Sequence, residues 1–292
     1  MNPKPLAHAV LVTLIYSDLF DQPLRTAELH RFLHGYRIDI GDLKTRLGNG
    51  ALEGYPVVRM DGYLLLAGRE ELPARRADAE RLAAARLPSA VRYGRRIARL
   101  PYVRMVGLTG ALAAGNARDE EDYDYIIVTA PGRVWTSRLF VLFLVRLAAL
   151  RGFALCPNYF LSTDALELDD RSIFTARELA QLVPLAGADV YDRLRRLNAW
   201  ADALLPNAAG SPAPELMLED PTGQSTTAER LLNGTAGDRL ERWEMDRKVR
   251  KLSRGGLSPE TAFDAARVQG HFNGYRARTL AEFEKSRKAY RL

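Results

Sequence analysis

The chain has 292 residues, 47% of them apolar and 27% charged, which is enough for a real core and excludes wholesale disorder. Lys plus Arg exceed Asp plus Glu by 42 − 36 = 6, a balance that tolerates a polyanionic partner without demanding one. A single cysteine, Cys156, excludes an internal disulfide framework and a multi-cysteine zinc site. The stretch Met1-Asn2-Pro3-Lys4-Pro5 leads into apolar residues without a small-residue cleavage signal, so a cytoplasmic location is expected.

The first seventy residues predict three helices and a hairpin. Leu6 to Tyr16 is an apolar run of helical length. Thr26 precedes a helix that stops at Gly35, and Asp39 or Asp42 opens a third, ended by Gly48-Asn49-Gly50. Asp61-Gly62 between two apolar runs is a strong hairpin signal, because a type I′ turn needs positive φ at both central residues. This is the element order of a winged helix-turn-helix. Residues 71–100 follow as a basic helical connector, broken near Pro88, with eight Arg against three acids. The apolar run Leu139–Leu150 is too short for the roughly 20 residues of a bilayer crossing and is interrupted by Arg146. It predicts a buried helix, and no membrane partner is expected.

From Pro101 the pattern becomes strand, helix, strand, helix, strand. The strands are Tyr102–Gly107, Tyr123–Thr129 and Phe153–Ser162, which predicts a small mixed sheet at residues 101–206. Thr175–Val183 and Val190–Leu205 have helical spacing. Residues 207–238 read as a loop or linker rich in Pro, Gly, Ser and Thr. Residues 239–292 read as a C-terminal helical region, in which Arg239–Arg254 carries seven Lys or Arg against three acids. The expected class is therefore α+β.

The chemistry concentrates in Val106–Thr129. A strand ending at Gly107 leads into Thr109-Gly110-Ala111, small residues that keep backbone N–H groups accessible to a phosphate. Ten residues separate Ala111 from Asp122, and Asp124 follows two positions later, on the same strand face. Neighbouring carboxylates on one face repel each other unless a cation compensates them. Mg²⁺ prefers one or two carboxylates plus phosphate oxygens and water.

This segment resembles the polymerase-β-type nucleotidyltransferase superfamily, in which a hydrophobic strand, Gly-Ser or Gly-Gly, a spacer of about ten residues and Asp-x-Asp in an apolar strand recur. Gly110-Ala111, the spacer and Asp122-Tyr123-Asp124-Tyr125-Ile126-Ile127-Val128 carry the likeness over some 25 residues. The minimal bacterial members are nearest in size. The resemblance implies Asp122 and Asp124 as catalytic metal ligands for Mg²⁺ or Mn²⁺. It implies Thr109, Gly110, Ala111 and Arg118 as nucleotide-phosphate contacts, with an NTP, ATP first, as substrate. Two departures stand out. Ala111 replaces the usual Ser, with Thr109 as a substitute donor, and Asn158 occupies the place of the third carboxylate as a weaker metal ligand. Asp164, Glu167, Asp169 or Asp170 could serve instead.

The remaining candidates are plainer. His30 and His34, four apart, suggest surface or packing roles, and Cys156 suggests a small buried hydrophobe. Arg118 and Arg133 could pair either with a triphosphate or with the acidic loop Asp119–Asp122. The third helix of the first unit is not distinctly basic, so nucleic acid is open but not favoured, as is a homodimer. The expected function is transfer of an NMP to a hydroxyl of an unidentified small-molecule, protein or RNA acceptor. The alternative is a DNA-binding or nucleotide-sensing regulator with a degenerate transferase domain.

Overall fold

The computed structural model describes residues 5–118, 122–218, 227–253, 262–269 and 274–292. The chain opens with α1 (Pro5–Asp18), β1 (Leu24–Arg25), α2 (Thr26–Phe32), α3 (Ile40–Gly48) and the hairpin β2 (Val57–Met60) and β3 (Tyr63–Leu66). The three strands form one antiparallel sheet in the order β1-β3-β2. Apolar residues occupy every side of α1, and it is buried on nearly all of them. Arg25, not Thr26, is the N-cap of α2, and the Glu28 carboxylate accepts from its backbone N–H at 2.8 Å. Asp39 Oδ1 accepts from Gly41 N–H at 2.6 Å and starts α3. Asp61 and Gly62 have φ of +51° and +83°, the left-handed pair that the turn requires.

α4 (Leu72–Ala98) runs unbroken through Pro88, contrary to the expected interruption. Pro88 is exposed, so the hydrogen bond it removes is lost on the side where water can replace it.

A second, six-stranded sheet has the order β7-β4-β5-β6-β9-β8. Its strands are β4 (Val103–Leu108), β5 (Tyr123–Thr129), β6 (Leu155–Ser162), β7 (Val183–Ala186), β8 (Ala262–Phe263) and β9 (Arg267–Gln269). β4 and β5 are antiparallel, whereas β5 and β6 are parallel and joined by the crossover helix α6 (Val134–Ala149). The remaining helices are α5 (Gly110–Ala113), α7 (Ile173–Gln181), α8 (Ala188–Leu197), α9 (Ala201–Leu204), α10 (Thr227–Leu232), α11 (Thr235–Ser253) and α12 (Tyr275–Ala289). The class is α+β. Among the described residues no helix is long and apolar enough to cross a membrane.

Three expectations need correction. Val183, placed at the end of a helix, begins an edge strand containing Pro184, a residue that edge strands tolerate. The stretch read as linker contains a short 3₁₀ turn at Pro214–Leu216, α10 and the start of α11; residues 219–226 lie outside the described ones. The C-terminal region is not purely helical, since β8 and β9 extend the sheet beyond β6.

The sheet divides two cores. Tyr93 and Ile97 of α4 and Trp135 of α6 pack with Tyr125 and Ile127 on one face. α1, α2, α7 and α8 pack with Met105, Val128 and Leu161 on the other. Side chains alternate along β5, so Tyr123, Tyr125 and Ile127 enter the first core while Ile126 and Val128 face the second. Asp124 shares the face of Ile126, where the N-terminal unit and α7 lie.

Candidate functional site

β4 delivers the chain to a turn at Thr109 and Gly110, beside the N-terminal end of β5. The backbone N–H of Thr109 donates to Asp124 O at 3.0 Å, fixing the turn on that strand. Gly110 has φ of +70°, and a Cβ there would stand 2.3 Å from Asp124 Oδ2. Only glycine meets both conditions. The turn lies directly on the carboxylate, and Gly110 also begins the four-residue α5.

Asp124 is partly buried. Asn158 Nδ2 on β6 donates to its Oδ1 at 2.6 Å, and Cys156 Sγ donates to Asn158 Oδ1 at 2.9 Å. Asp124 and Cys156 are paired across the parallel strands, which places this chain of donors. Burial raises the Asp124 pKa to about 7; the Asn158 hydrogen bond opposes this, and the charges of Glu178 and Asp122 add to it. Burial, and then the charges of Asp124 and Asp122, push the Cys156 thiol up to about 12. Cys156 is therefore a neutral donor to Asn158. Asp122 is exposed, one residue before the strand. Among the described residues no ion pair reaches Asp122 or Asp124.

Sequence reasoning missed Glu178. It projects from α7, Thr109 Oγ1 donates to its Oε2 at 2.8 Å, and Gln181 Nε2 donates to its Oε1 at 2.7 Å. Burial raises its pKa; Thr109, then Arg177, then Gln181 oppose the rise. The neighbouring Arg177 turns the other way, buried between Tyr16 and Phe32 of the N-terminal unit, with its guanidinium 3.7 Å from the Phe32 ring centre. α7 thus ties the N-terminal unit to the site. The signal available was Thr175-Ala176-Arg177-Glu178-Leu179-Ala180, where the small and apolar neighbours close the helix in on both sides.

The other sequence candidates fall as follows. Asn158 points its amide nitrogen at Asp124, and its carbonyl is taken up by the thiol, so it braces the aspartate. The Thr109 hydroxyl is already given to Glu178. Arg118 lies at the end of the turn segment, 3.7 Å from Asp21, and its carbonyl accepts from Arg86 Nη1 at 2.7 Å. Arg133 lies at the far end of β5, paired with Asp238 at 2.8 Å and stacked on Tyr102. Asp164, Glu167, Asp169 and Asp170 follow the C-terminal end of β6, the end opposite Asp124. Asp169 pairs with Arg267, Glu167 with Arg171, and Asp170 accepts from Ser172 and Thr175. None of these four supplies a carboxylate beside Asp124. Glu178 does, from the β4 side. Asp119, Glu120 and Glu121 lie outside the described residues.

His30 Nε2 is hydrogen-bonded to the Ile38 carbonyl at 2.8 Å, and His34 is half-buried, with its pKa lowered mainly by burial. Among the described residues no three His, Cys, Asp or Glu side chains converge to hold a metal ion by themselves. The loop after α5 is tied to its surroundings: Gln22 Nε2 and Arg76 Nη2 donate to Ala114 O at 3.2 and 3.3 Å, and Asn116 Nδ2 donates to Phe20 O at 3.0 Å. A cleft of about 440 Å³ opens there between the N-terminal unit and α4, lined by Phe20, Asp21, Arg75, Leu82, Ala117 and Arg118.

This end of β5 gathers the carboxylates of Asp122, Asp124 and Glu178 around the turn at Gly110. Comparison with known proteins gives the chain no family: no family model, curated protein or solved structure matches it.

Proposed function

We propose that the chain is a metal-dependent nucleotidyltransferase that moves an NMP from an NTP, ATP first, to a hydroxyl of an acceptor. The observation that carries this reading is the Asp124 carboxylate, seated under the Cβ-free turn at Gly110 with Asp122 and Glu178 alongside and, among the described residues, no ion pair of its own. Two carboxylates beside a glycine turn fit Mg²⁺ or Mn²⁺, because such an ion takes one or two protein carboxylates and completes its shell with phosphate and water.

In this reading Asp122 and Asp124 would hold the cation, which neutralises charge on the triphosphate and polarises its α-phosphorus. Asn158 holds Asp124 Oδ1, leaving Oδ2 on the side of the turn. The backbone at Gly110 and Ala111 accommodates the phosphate chain, and Glu178 holds Thr109 in place. The acceptor oxygen bonds to the α-phosphorus, the P–O bond to the β-phosphate breaks, pyrophosphate leaves, and the hydroxyl proton goes to water. Positioning and charge neutralisation supply most of the rate in such transfers. The order and pairing of the elements from α1 to β3 support a winged helix-turn-helix reading of the N-terminal unit. Its buried first helix and its ties to α7 and to the loop after α5 support a bracing role.

The test is incubation with each α-labelled NTP, Mg²⁺ and a cell extract, comparing the wild type with Asp122→Asn plus Asp124→Asn. Labelling that vanishes in the folded double variant supports the reading. Undiminished labelling rejects it. Binding to duplex DNA with steep salt dependence, and with no effect of nucleotide, would favour the regulator instead.

A further inference from the structure

We propose that the outer face of α4 and α6 docks on an anionic lipid surface. The inference is independent of the transferase reading. It differs from the expectation of no membrane partner, since the contact lies in the interface plane and needs no spanning segment. Both helices cover the same face of the six-stranded sheet; Tyr93 of α4 packs on Phe153, four residues beyond α6, with ring centres 5.0 Å apart, and α11 packs on α6 as well. What they turn away from the sheet is unusual in two respects.

The first is apolar exposure. On α6, Leu139, Phe143, Leu147 and Leu150 recur at the spacing of one helix face. That face lies opposite Val141 and Ala148, which are buried on the sheet. Phe143 is 61% and Leu150 83% exposed, among the largest apolar exposures in the described chain. The sequence predicts this helix as buried, and only its inner half is.

The second is charge of one sign. No Asp or Glu occurs between Arg81 and Arg118, and none between Arg133 and Thr163. Arg92, Arg96 and Arg99 of α4 and Arg146 and Arg151 at the end of α6 are all exposed. Aromatic rings lie beneath some of these guanidiniums: Arg92 lies 5.8 Å from the Phe153 ring centre and Arg96 5.1 Å from that of Tyr93. The face is therefore an apolar stripe bordered by arginines, free of acids on α6 and on α4 beyond Glu80; Asp78, nearer the start of α4, is exposed and paired with Arg81.

A second copy of the chain would bring arginines against arginines across a two-fold axis, which disfavours self-association here. A nucleic acid would satisfy the arginines but leave Phe143, Leu147 and Leu150 in water. Anionic headgroups with acyl chains just beneath them satisfy both.

The experiment is co-sedimentation of the full chain with vesicles of phosphatidylcholine alone or mixed with phosphatidylglycerol, alongside binding of a fluorescent single-stranded oligonucleotide. The expected result is binding to the mixed vesicles, weak binding to phosphatidylcholine, and reversal by salt. Arg146→Gln plus Arg151→Gln should weaken vesicle binding roughly 25-fold, at about 5-fold per charge. Phe143→Ser plus Leu150→Ser should weaken it by at least about 10-fold while leaving the far-ultraviolet spectrum unchanged. No preference for the mixed vesicles, binding indifferent to Phe143 and Leu150, or tight oligonucleotide binding that the vesicles do not compete would each overturn the proposal.

Discussion

The two ends of β5 both gather carboxylates, and they treat them in opposite ways. Beyond the C-terminal end, Glu241 of α11 accepts from the backbone N–H groups of Trp135 and Thr136 at 2.9 and 2.7 Å, closing the N-terminus of α6. Glu229 of α10 accepts from the backbone N–H of Tyr102 at 2.5 Å and pairs with Arg104 at 3.1 Å. These acids are buried and receive at least two donors each, which is how a fold keeps a buried charge. At the N-terminal end, Asp124 is held by the Asn158 amide and the Cys156 thiol, both neutral donors, faces two further acids and is pushed toward its protonated form. A carboxylate that the fold leaves under-compensated is a candidate for work with an external cation.

Substitutions at the two ends should therefore separate activity from stability. The largest effect is expected for Asp124→Asn: NMP transfer falls by about 10³-fold, the value of several kcal/mol of metal-supplied stabilisation. Its midpoint of thermal unfolding is unchanged or higher at neutral pH. An initial-rate assay and a melting curve check the two halves. Gly110→Ala comes next, because the new Cβ collides with Asp124 Oδ2 and the residue is held at positive φ. It should weaken metal-dependent nucleotide binding at least about 10-fold and reduce stability by about 1 kcal/mol. Glu241→Ala should do the reverse, removing about 2 kcal/mol of stability in a denaturant titration while transfer per folded molecule stays constant. A loss of activity there without a loss of stability would erase the contrast between the two ends.

The smallest effect concerns pH. Because the Asp124 pKa is raised to about 7 in the fold, the unfolded chain gives up this proton at lower pH than the native one. Stability then falls as pH rises from about 4 to about 7. Melting temperatures recorded across that window without metal should slope less in Asp124→Asn than in the wild type. Equal slopes would mean that Asp124 ionises normally and is well solvated.

Much of this was legible in the sequence because it is local. Asp-Gly specifies the hairpin, and the spacing from Gly110 to Asp124 brings the turn and the carboxylate together through one antiparallel pairing. What stayed hidden depends on partners distant in the chain. β7, β8 and β9 are four, two and three residues long, too short to show alternation, and they exist because neighbouring strands pair with them. Glu178 is distant in sequence from Thr109, and the small and apolar residues around it show that its helix is enclosed without naming the partner. Pro88 signals a break only where its missing hydrogen bond would be buried. The hydrogen bonds of Asn158 were not legible either, since only the thiol of Cys156 reveals which way its amide is turned.

The claim on which the rest depends is that Asp124 awaits a cation brought by a nucleotide. Calorimetric titration of the full chain with ATP, in Mg²⁺ and then in EDTA, addresses it most directly. The account predicts binding in Mg²⁺ that disappears in EDTA and in Asp124→Asn. ATP binding of equal strength in all three conditions would contradict it.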